Sequence, residues 1–162
     1  MSLLNSLFDV QSVDNPMALA SLAMNLPISG GEVMDANGTP VAGSFPPGAV
    51  VTINTDGTAL LASTPNISSA APLLTFITVD GNKDFSGSFV GMITCLHGGI
   101  TIYTDQYVAG SYVPGAAVTF ISGQIAPLTS ASTQQRIGFV GPAGFDSVNN
   151  AVQIMLPQGC GI

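Results

Sequence analysis

The chain has 162 residues, a net charge of −7 and a charged fraction of only 7%. Its two basic residues, Lys83 and Arg136, are too few to neutralise nucleic-acid phosphates or to form a polybasic membrane surface. No apolar run approaches the roughly 20 residues that span a bilayer, and the absence of Lys or Arg before residue 83 argues against a secretory signal peptide.

Residues 1–43 are predicted to form an N-terminal arm with short helical turns. One apolar cluster near the start has the spacing of one helical face, and a second cluster of good helix formers follows Pro16. The main apolar side chains of these clusters are Leu3, Leu4, Leu7, Phe8, Leu19 and Leu22. Gly and Pro between residues 27 and 44 favour loop or extended chain. The alternative is a pair of helices packed on the domain's own core, because apolar residues need burial.

An internal repeat follows. Residues 45–53 (FPPGAVVTI) recur as residues 112–120 (YVPGAAVTF), 67 positions later. Each copy has an aromatic residue, a Pro-Gly turn and a run of apolar and β-branched residues, which predicts a turn that leads into a strand. A glycine-marked turn and a second run follow in both copies. Residues 45–63 and 112–130 are therefore predicted to form two related β-hairpins.

Further strands are predicted where β-forming residues are bounded by Gly and Pro. These stretches are residues 73–79, 88–96, 100–104, 136–140 and 151–156. The segment His97-Gly98-Gly99 predicts a hairpin between two of them, and Gly141-Pro142 predicts the turn between the last two. Short strands at this spacing are typical of sandwiches and barrels. We therefore expect residues 44–162 to form one mainly β domain, a compact β-barrel or sandwich.

No group of residues predicts a catalytic site, a cofactor site or a metal site. Residues 80–84 place oxygen ligands at alternate positions, but Phe85 and Gly91 stand where an EF-hand-like calcium loop needs a glycine and a glutamate. His97 is the only histidine, so it cannot be both an oxyanion-loop residue and a triad base. Most acidic residues lie in turn contexts, which explains them without catalysis.

The two cysteines are too few for a disulfide framework and show no zinc-binding spacing. Cys95 and Cys160 are predicted to be unconnected buried or terminal thiols. A single bridge between them is the alternative, since spacing in sequence does not determine the separation of their Cα atoms.

Three tyrosines lie close together in the sequence. Tyr103, Tyr107 and Tyr112 could form a stacking platform for a sugar. In the first repeat, however, Phe45 stands at the position of Tyr112. This match favours a structural wedge beside the Pro-Gly turn.

The second half of the chain resembles capsid decoration proteins, or cement proteins, of tailed bacteriophages. The resemblance lies in residues 107–124, in RIGFV at 136–140 and in VQIML at 152–156, and the wider pattern covers residues 45–157. It implies a non-enzymatic, β-rich virion protein, often a homotrimer, that is made in the host cytoplasm. Such a protein binds the major capsid protein on the outside of the assembled head. The resemblance also implies that the arm contacts the capsid through Leu3, Leu4, Leu7, Phe8, Leu19 and Leu22.

Two other functional classes stay open at this point. One is a receptor-binding or glycan-binding head or tail protein, such as a fibre protein, which would use the three tyrosines. The other is a small hydrolase that would use Asp or Ser residues together with His97.

Overall fold

The computed structural model describes residues 8–13, 23–27, 47–53, 55–62, 75–78, 92–96 and 98–157. These residues contain eleven strands and no helix, so they include no helix that could cross a membrane. The strands are β1 (Phe8–Val13), β2 (Ala23–Pro27), β3 (Val50–Ile53), β4 (Ala59–Leu61), β5 (Thr75–Thr78), β6 (Met92–Leu96), β7 (Ile100–Thr104), β8 (Ala117–Ile121), β9 (Gln124–Pro127), β10 (Gly138–Asp146) and β11 (Ala151–Leu156).

The strands form two antiparallel sheets. The N-terminal sheet has the order β2-β6-β5-β3-β4, and the C-terminal sheet has the order β1-β7-β11-β10-β8-β9. The mainly β prediction is confirmed. Within the described strands neither sheet closes on itself, so the barrel version of the prediction is wrong. The two sheets instead share a cluster of buried apolar side chains.

Both predicted repeat hairpins are present, as β3–β4 and β8–β9. Their Pro-Gly turns have the same backbone conformation, with φ of 81° at Gly48 and 82° at Gly115. Gly48 N donates to Thr78 O (2.7 Å), and Gly115 N donates to Val140 O (2.9 Å). The N–H groups of Thr78 and Val140 each donate to the residue after the glycine, at 3.0 and 2.8 Å. Only a residue that tolerates positive φ fits these turns, which explains the repeated glycine.

The duplication extends beyond the sequence repeat to five strands. Strands β2 to β6 and strands β7 to β11 form sheets with the same strand order, and β1 is an additional strand beside β7. The register agrees as well, because Ile77 pairs with Leu96 in one copy and Phe139 pairs with Met155 in the other. Each half of the chain therefore folds into the same five-stranded unit.

The two units do not stack symmetrically. Val50, Ile77 and Leu96 of the N-terminal sheet pack into the shared cluster with Val118 and Phe120 of the C-terminal sheet. The equivalents of the first three residues, which are Ala117, Phe139 and Met155, lie on the opposite face of the C-terminal sheet and are half-buried or exposed. The N-terminal unit thus packs against its copy through one face of its sheet, and the equivalent face of the C-terminal sheet points outward.

The opposite face of the N-terminal sheet is also buried. It carries a second apolar cluster that includes Val51, Phe76, Ile93 and Cys95. Because side chains alternate across a strand, the neighbours Val50 and Val51 lie in different clusters. Both faces of this sheet therefore carry buried apolar side chains, which matches its largely apolar sequence.

The turn of the second hairpin links the two units. Ser122 and Gly123 have φ of 48° and 78°, the pattern of a two-residue type I′ turn. Gly123 donates its N–H to Ala62 O (2.8 Å) and accepts from Val50 N (2.7 Å). A Cβ atom at Gly123 would meet the end of the flexible Leu61 side chain, which can move, so the positive φ is the main reason for glycine here.

Two predicted turns differ from the structure. The hairpin around Gly98-Gly99 is wrong, because β6 pairs with β2 and β5 whereas β7 pairs with β1 and β11. The chain changes sheet at this point, with φ of 61° and 65° at the two glycines. The predicted turn at Gly141-Pro142 lies instead within β10, where the register shifts between Val140 and Phe145. A bulge accommodates Pro142, which has no N–H for the ladder.

Two stretches of the predicted N-terminal arm are strands of the sheets. Phe8 begins β1, which pairs with β7, and β2 pairs with β6. Phe8 and Val10 alternate with Asp9 and Gln11, the period of a strand. Most residues of the predicted helical turns lie outside the described residues, so these turns stay a prediction. The other predicted arm contacts, Leu3, Leu4, Leu7, Leu19 and Leu22, lie outside the described residues, and a capsid-binding arm stays a prediction.

Candidate interaction site at the tip of the C-terminal sheet

An aromatic cluster organises one end of the C-terminal sheet. The ring of Tyr107 meets Tyr112 edge to face, with centroids 5.7 Å apart, and meets Phe145 in the same way at 5.6 Å. Tyr112 is buried in the shared core, and Tyr107 packs against that core from outside. Edge-to-face contacts of this kind stabilise beyond the apolar area that they bury.

The hydroxyl of Tyr112 anchors the crossover between β7 and β8. It lies 2.6 Å from Val108 O and 3.0 Å from Ile125 O, within hydrogen-bond distance of both. A tyrosine that bonds to the backbone four residues upstream resembles the tyrosine corner of β-sandwich proteins. Val108 N donates to Ile125 O (2.8 Å), and Ile125 N donates to Gln106 O (2.9 Å), so the crossover also covers the outer edge of β9.

The Pro-Gly turn of the second repeat packs on β10 at Gly144. A Cβ atom at Gly144 would lie 3.3 Å from Tyr112 O and 3.4 Å from the ring of Pro114, and φ at Gly144 is 63°. Ala116 N donates to Val113 O (3.0 Å), which closes the turn. Glycine at position 144 thus allows the turn and the β10–β11 hairpin to meet.

The loop between β10 and β11 is held in one conformation by polar side chains. Asp146 Oδ1 accepts from Val148 N (2.9 Å) and from Asn149 N (3.3 Å), and Asp146 Oδ2 accepts from Asn149 Nδ2 (2.7 Å). Tyr107 donates its hydroxyl to Asn150 Oδ1 (2.6 Å), and Asn150 has a φ of 52°. The side-chain bond from Asn149, followed by the two backbone N–H groups, lowers the pKa of Asp146.

The Pro-Gly turn of the second repeat, the end of β10 and the β10–β11 loop each present an apolar side chain to solvent. Val113 is 60% exposed, Phe145 44% and Val148 90%. Val148 stands among Asp146, Ser147, Asn149 and Asn150, in a turn where polar residues are usual. We call Val113, Phe145 and Val148 the apolar tip. Sequence reasoning missed it, although an isolated Val in a polar turn was the available signal.

The tip carries no positive charge. Arg136, the one cation in the described part of the chain, stacks instead on the ring of Phe139, with its guanidinium carbon 5.1 Å from the ring centroid. This cation–π contact lies at the start of β10, whereas Asp146 lies at its other end. Both oxygens of Asp146 are engaged within the loop.

The three tyrosines do not form one stacking platform for a sugar, which is the less favoured of the two interpretations of this group. Tyr112 is only 6% exposed, and Tyr103 pairs with Gln153 on the sheet face that points away from the shared core. Tyr112 is buried beside the Pro-Gly turn, as the favoured interpretation, a structural wedge, predicts. A ring buried in this way cannot stack on a ligand from solvent.

The other candidate residues contribute no assembled site to the described structure. Cys95 is a buried thiol in β6, while His97, Cys160 and residues 80–84 lie outside the described residues. In the ranges that the structure covers, no three His, Cys, Asp or Glu side chains come together as metal ligands. A crevice of about 10 Å³ lined by Thr75, Ile77 and Leu96 has room for one water at most.

Removal of the Tyr112 hydroxyl tests the anchor. Tyr112→Phe should lower the free energy of unfolding by about 1–2 kcal/mol, because it removes one buried hydrogen bond while keeping the ring. Urea unfolding followed by circular dichroism measures the change. Tyr103→Phe, which removes a tyrosine hydroxyl at a half-buried position of β7, is the matched control and should cost clearly less. Equal costs would contradict the anchoring role.

The same residue gives a prediction at high pH. Burial raises the pKa of Tyr112 well above its ordinary value of 10.0. The unfolded chain therefore loses this proton first, so the free energy of unfolding should fall as pH rises above 10. In Tyr112→Phe this loss should be reduced, which unfolding curves at pH 8 and pH 11 measure. An unchanged pH dependence would show that Tyr112 does not cause it.

The tip therefore combines exposed apolar side chains with a rigid support of aromatic contacts and hydrogen bonds. Such a surface can bind another protein, and its described residues offer no nucleophile and base in contact. No protein-family model, curated protein or solved structure matches the chain.

Proposed function

We propose that the chain is a structural virion protein that decorates the outside of a bacteriophage capsid and stabilises it by binding the major capsid protein lattice. The observation that carries this proposal is the apolar tip, held rigidly on a β scaffold that has almost no charge. Exposed apolar groups on a rigid support are typical of protein contact surfaces. The role is one of binding rather than catalysis.

The low charge of the chain supports a function in assembly. With 7% charged residues, the surface has little electrostatic protection against association. Typical soluble domains contain about 25% charged residues, so this composition suits a protein whose surface is largely covered by neighbouring subunits. We expect it to act at the outer capsid surface, after synthesis in the host cytoplasm, and to associate as a homotrimer.

The duplicated fold supports the same function. The chain contains two copies of one five-stranded unit. The two copies share the Pro-Gly turns and the pairing of their strands. Modest contacts from many such copies can reinforce a lattice, because multivalent attachment is stronger than each single contact. A stabilising layer therefore needs no large interface per copy.

Attachment to particles tests the proposal. Purified protein should bind heads assembled from the major capsid protein encoded alongside it, with a copy number that saturates at a fixed ratio to capsid subunits. Co-sedimentation followed by quantitative gel analysis measures this ratio, and the protein centrifuged without heads is the control. Absence of binding to heads, with binding to tails or to host cells, would move the chain to the receptor-binding class.

A further inference from the structure

Val148 has the highest exposure among the exposed large apolar side chains of the described residues. It is 90% exposed, and Val113 and Phe145, on segments at the same end of the sheet, are 60% and 44% exposed. A single exposed valine is ordinary on a protein surface, whereas several apolar side chains gathered at one end are not. The ring contact between Tyr107 and Phe145 and the packing of Pro114 on Gly144 bring the three segments together.

The loop presents Val148 in a fixed position. Asp146 holds the N–H groups of Val148 and Asn149, and Asn150 accepts from Tyr107. These bonds order the loop before any partner arrives, so little conformational entropy is lost on binding. The ordered loop therefore suits the insertion of the Val148 side chain into a depression on another protein.

The size of the tip argues against a contact that holds two copies of the chain together by itself. Three partly exposed side chains offer on the order of 300 Å² of apolar surface, which is the range of a single patch. A stable two-protein interface needs about 800 Å² from each partner. The tip suits instead one contact among many, as on a repeated lattice.

Charge indicates the chemistry of the partner. The tip contains no cation, and its one carboxylate, Asp146, is engaged by Val148 and Asn149 within the loop. The chain as a whole carries −7 and Asp146 is ionised beside the tip, so an acidic partner surface would be repelled. The side chains of Val113, Phe145 and Val148 themselves carry no charge that could pair with a basic surface. An uncharged apolar depression on the partner is therefore complementary to the apolar tip.

We propose that Val148, flanked by Phe145 and Val113, is the anchor that inserts into an uncharged apolar depression on the subunits of the capsid lattice. This inference rests on the proposed function and names the surface that performs it. In many interfaces a few inserted side chains carry most of the binding energy, while neighbouring residues exclude water.

Val148→Ser tests the anchor on the intact protein. Val148 is exposed, so the substitution should leave the fold unchanged, which the unfolding curve verifies. Loss of its methyl groups should weaken binding to assembled heads by about tenfold. Val148→Asp should weaken it further, because it places a charge in the depression. The binding constant is measured by co-sedimentation of each variant with the heads used for the wild-type protein.

Two further measurements separate the anchor from general effects. Ile53→Ser removes an apolar side chain that is 38% exposed on β3, away from the tip, and should bind within about twofold of wild type. Binding of the wild-type protein should also change little between low and high salt, because no charge pair holds the contact.

The outcomes distinguish the anchor from the function. If the wild-type protein binds heads and Val148→Ser binds equally well, the anchor is wrong and the proposed function stands. If the wild-type protein does not bind heads, both are wrong. If Val148→Ser changes the oligomeric state in light scattering while head binding is unchanged, the tip joins copies of the chain, and the anchor is again overturned.

Discussion

Leu96→Ala should lower the free energy of unfolding by about 2–5 kcal/mol, whereas Met155→Ala should cost less than about 1 kcal/mol. The two residues are equivalent in the duplicated fold, since Leu96 pairs with Ile77 and Met155 pairs with Phe139. Leu96 is 3% exposed in the core between the sheets, and Met155 is 41% exposed on the outer face. Truncation leaves a cavity only at the first position.

Urea unfolding of both variants and of the wild-type protein, followed by circular dichroism, measures the difference. The pair is its own control, because both side chains are apolar, similar in size and located in equivalent strands. Equal losses at the two positions would contradict the unequal stacking of the two units. A larger loss at Met155 would indicate that its face is the buried one.

Gly138→Ala should destabilise the protein by more than about 2 kcal/mol, although alanine is ordinarily better than glycine inside a strand by roughly 0.5–1 kcal/mol. A Cβ atom at this position would collide with the carbonyl oxygen of Met155 and lie 3.0 Å from a methyl group of Leu156. The carbonyl belongs to the backbone of β11, so it cannot move without breaking the ladder to β10. Glycine is thus required for the close approach of these strands.

Gly57→Ala is the matched control for this prediction. Gly57 has a φ of 85°, but a Cβ atom there would have nothing within 4 Å, so only backbone strain of about 1 kcal/mol is expected. Urea midpoints of the two variants give the comparison. A neutral or stabilising effect of Gly138→Ala would show that β10 and β11 lie farther apart than in this structure.

The hairpins of the repeat were predictable because their information is local. Each Pro-Gly turn needs a glycine with positive φ, and each following strand carries β-branched residues, so Gly48 and Gly115 mark the same structure twice. The later strands were visible for the same reason. Every strand predicted after residue 44 is present, although the bounds differ by a few residues.

The errors arose where tertiary pairing decides between local options. Gly98 and Gly99 have conformations that serve a hairpin or a change of sheet equally well, and only the pairing partners of β6 and β7 distinguish the two. Likewise, Phe8 fits both a helical face and the alternation of β1, and pairing with β7 selects the strand. Short apolar segments do not carry enough periodicity to decide.

The candidate site was hidden for a related reason. Val113 and Val148 are 35 residues apart in the sequence. Their segments lie at one end of the sheet because Tyr107 contacts Phe145 and Pro114 packs on Gly144. Tyr112 was correctly assigned to structure because the repeat places an aromatic residue at the same position. The exposure of Val148 follows from the loop that Asp146 shapes.

Unequal stacking has a consequence for assembly. When one face of a unit packs on a different face of its copy, the contact is heterologous. Among the described residues, no third unit packs on the outer face of the C-terminal sheet. That face carries Phe139 and Met155. The outer faces of the N-terminal and C-terminal sheets are therefore not equivalent. Such a difference suits a protein that faces a lattice on one side and solvent on the other.

Cryo-electron microscopy of the native particle that carries this chain tests the proposed function most directly. We predict density for the two stacked five-stranded units on the outer surface of the capsid, with the apolar tip of Val113, Phe145 and Val148 turned towards the capsid subunits. Density for the chain in a tail or a fibre, or a capsid whose outer surface lacks it, would contradict the proposal.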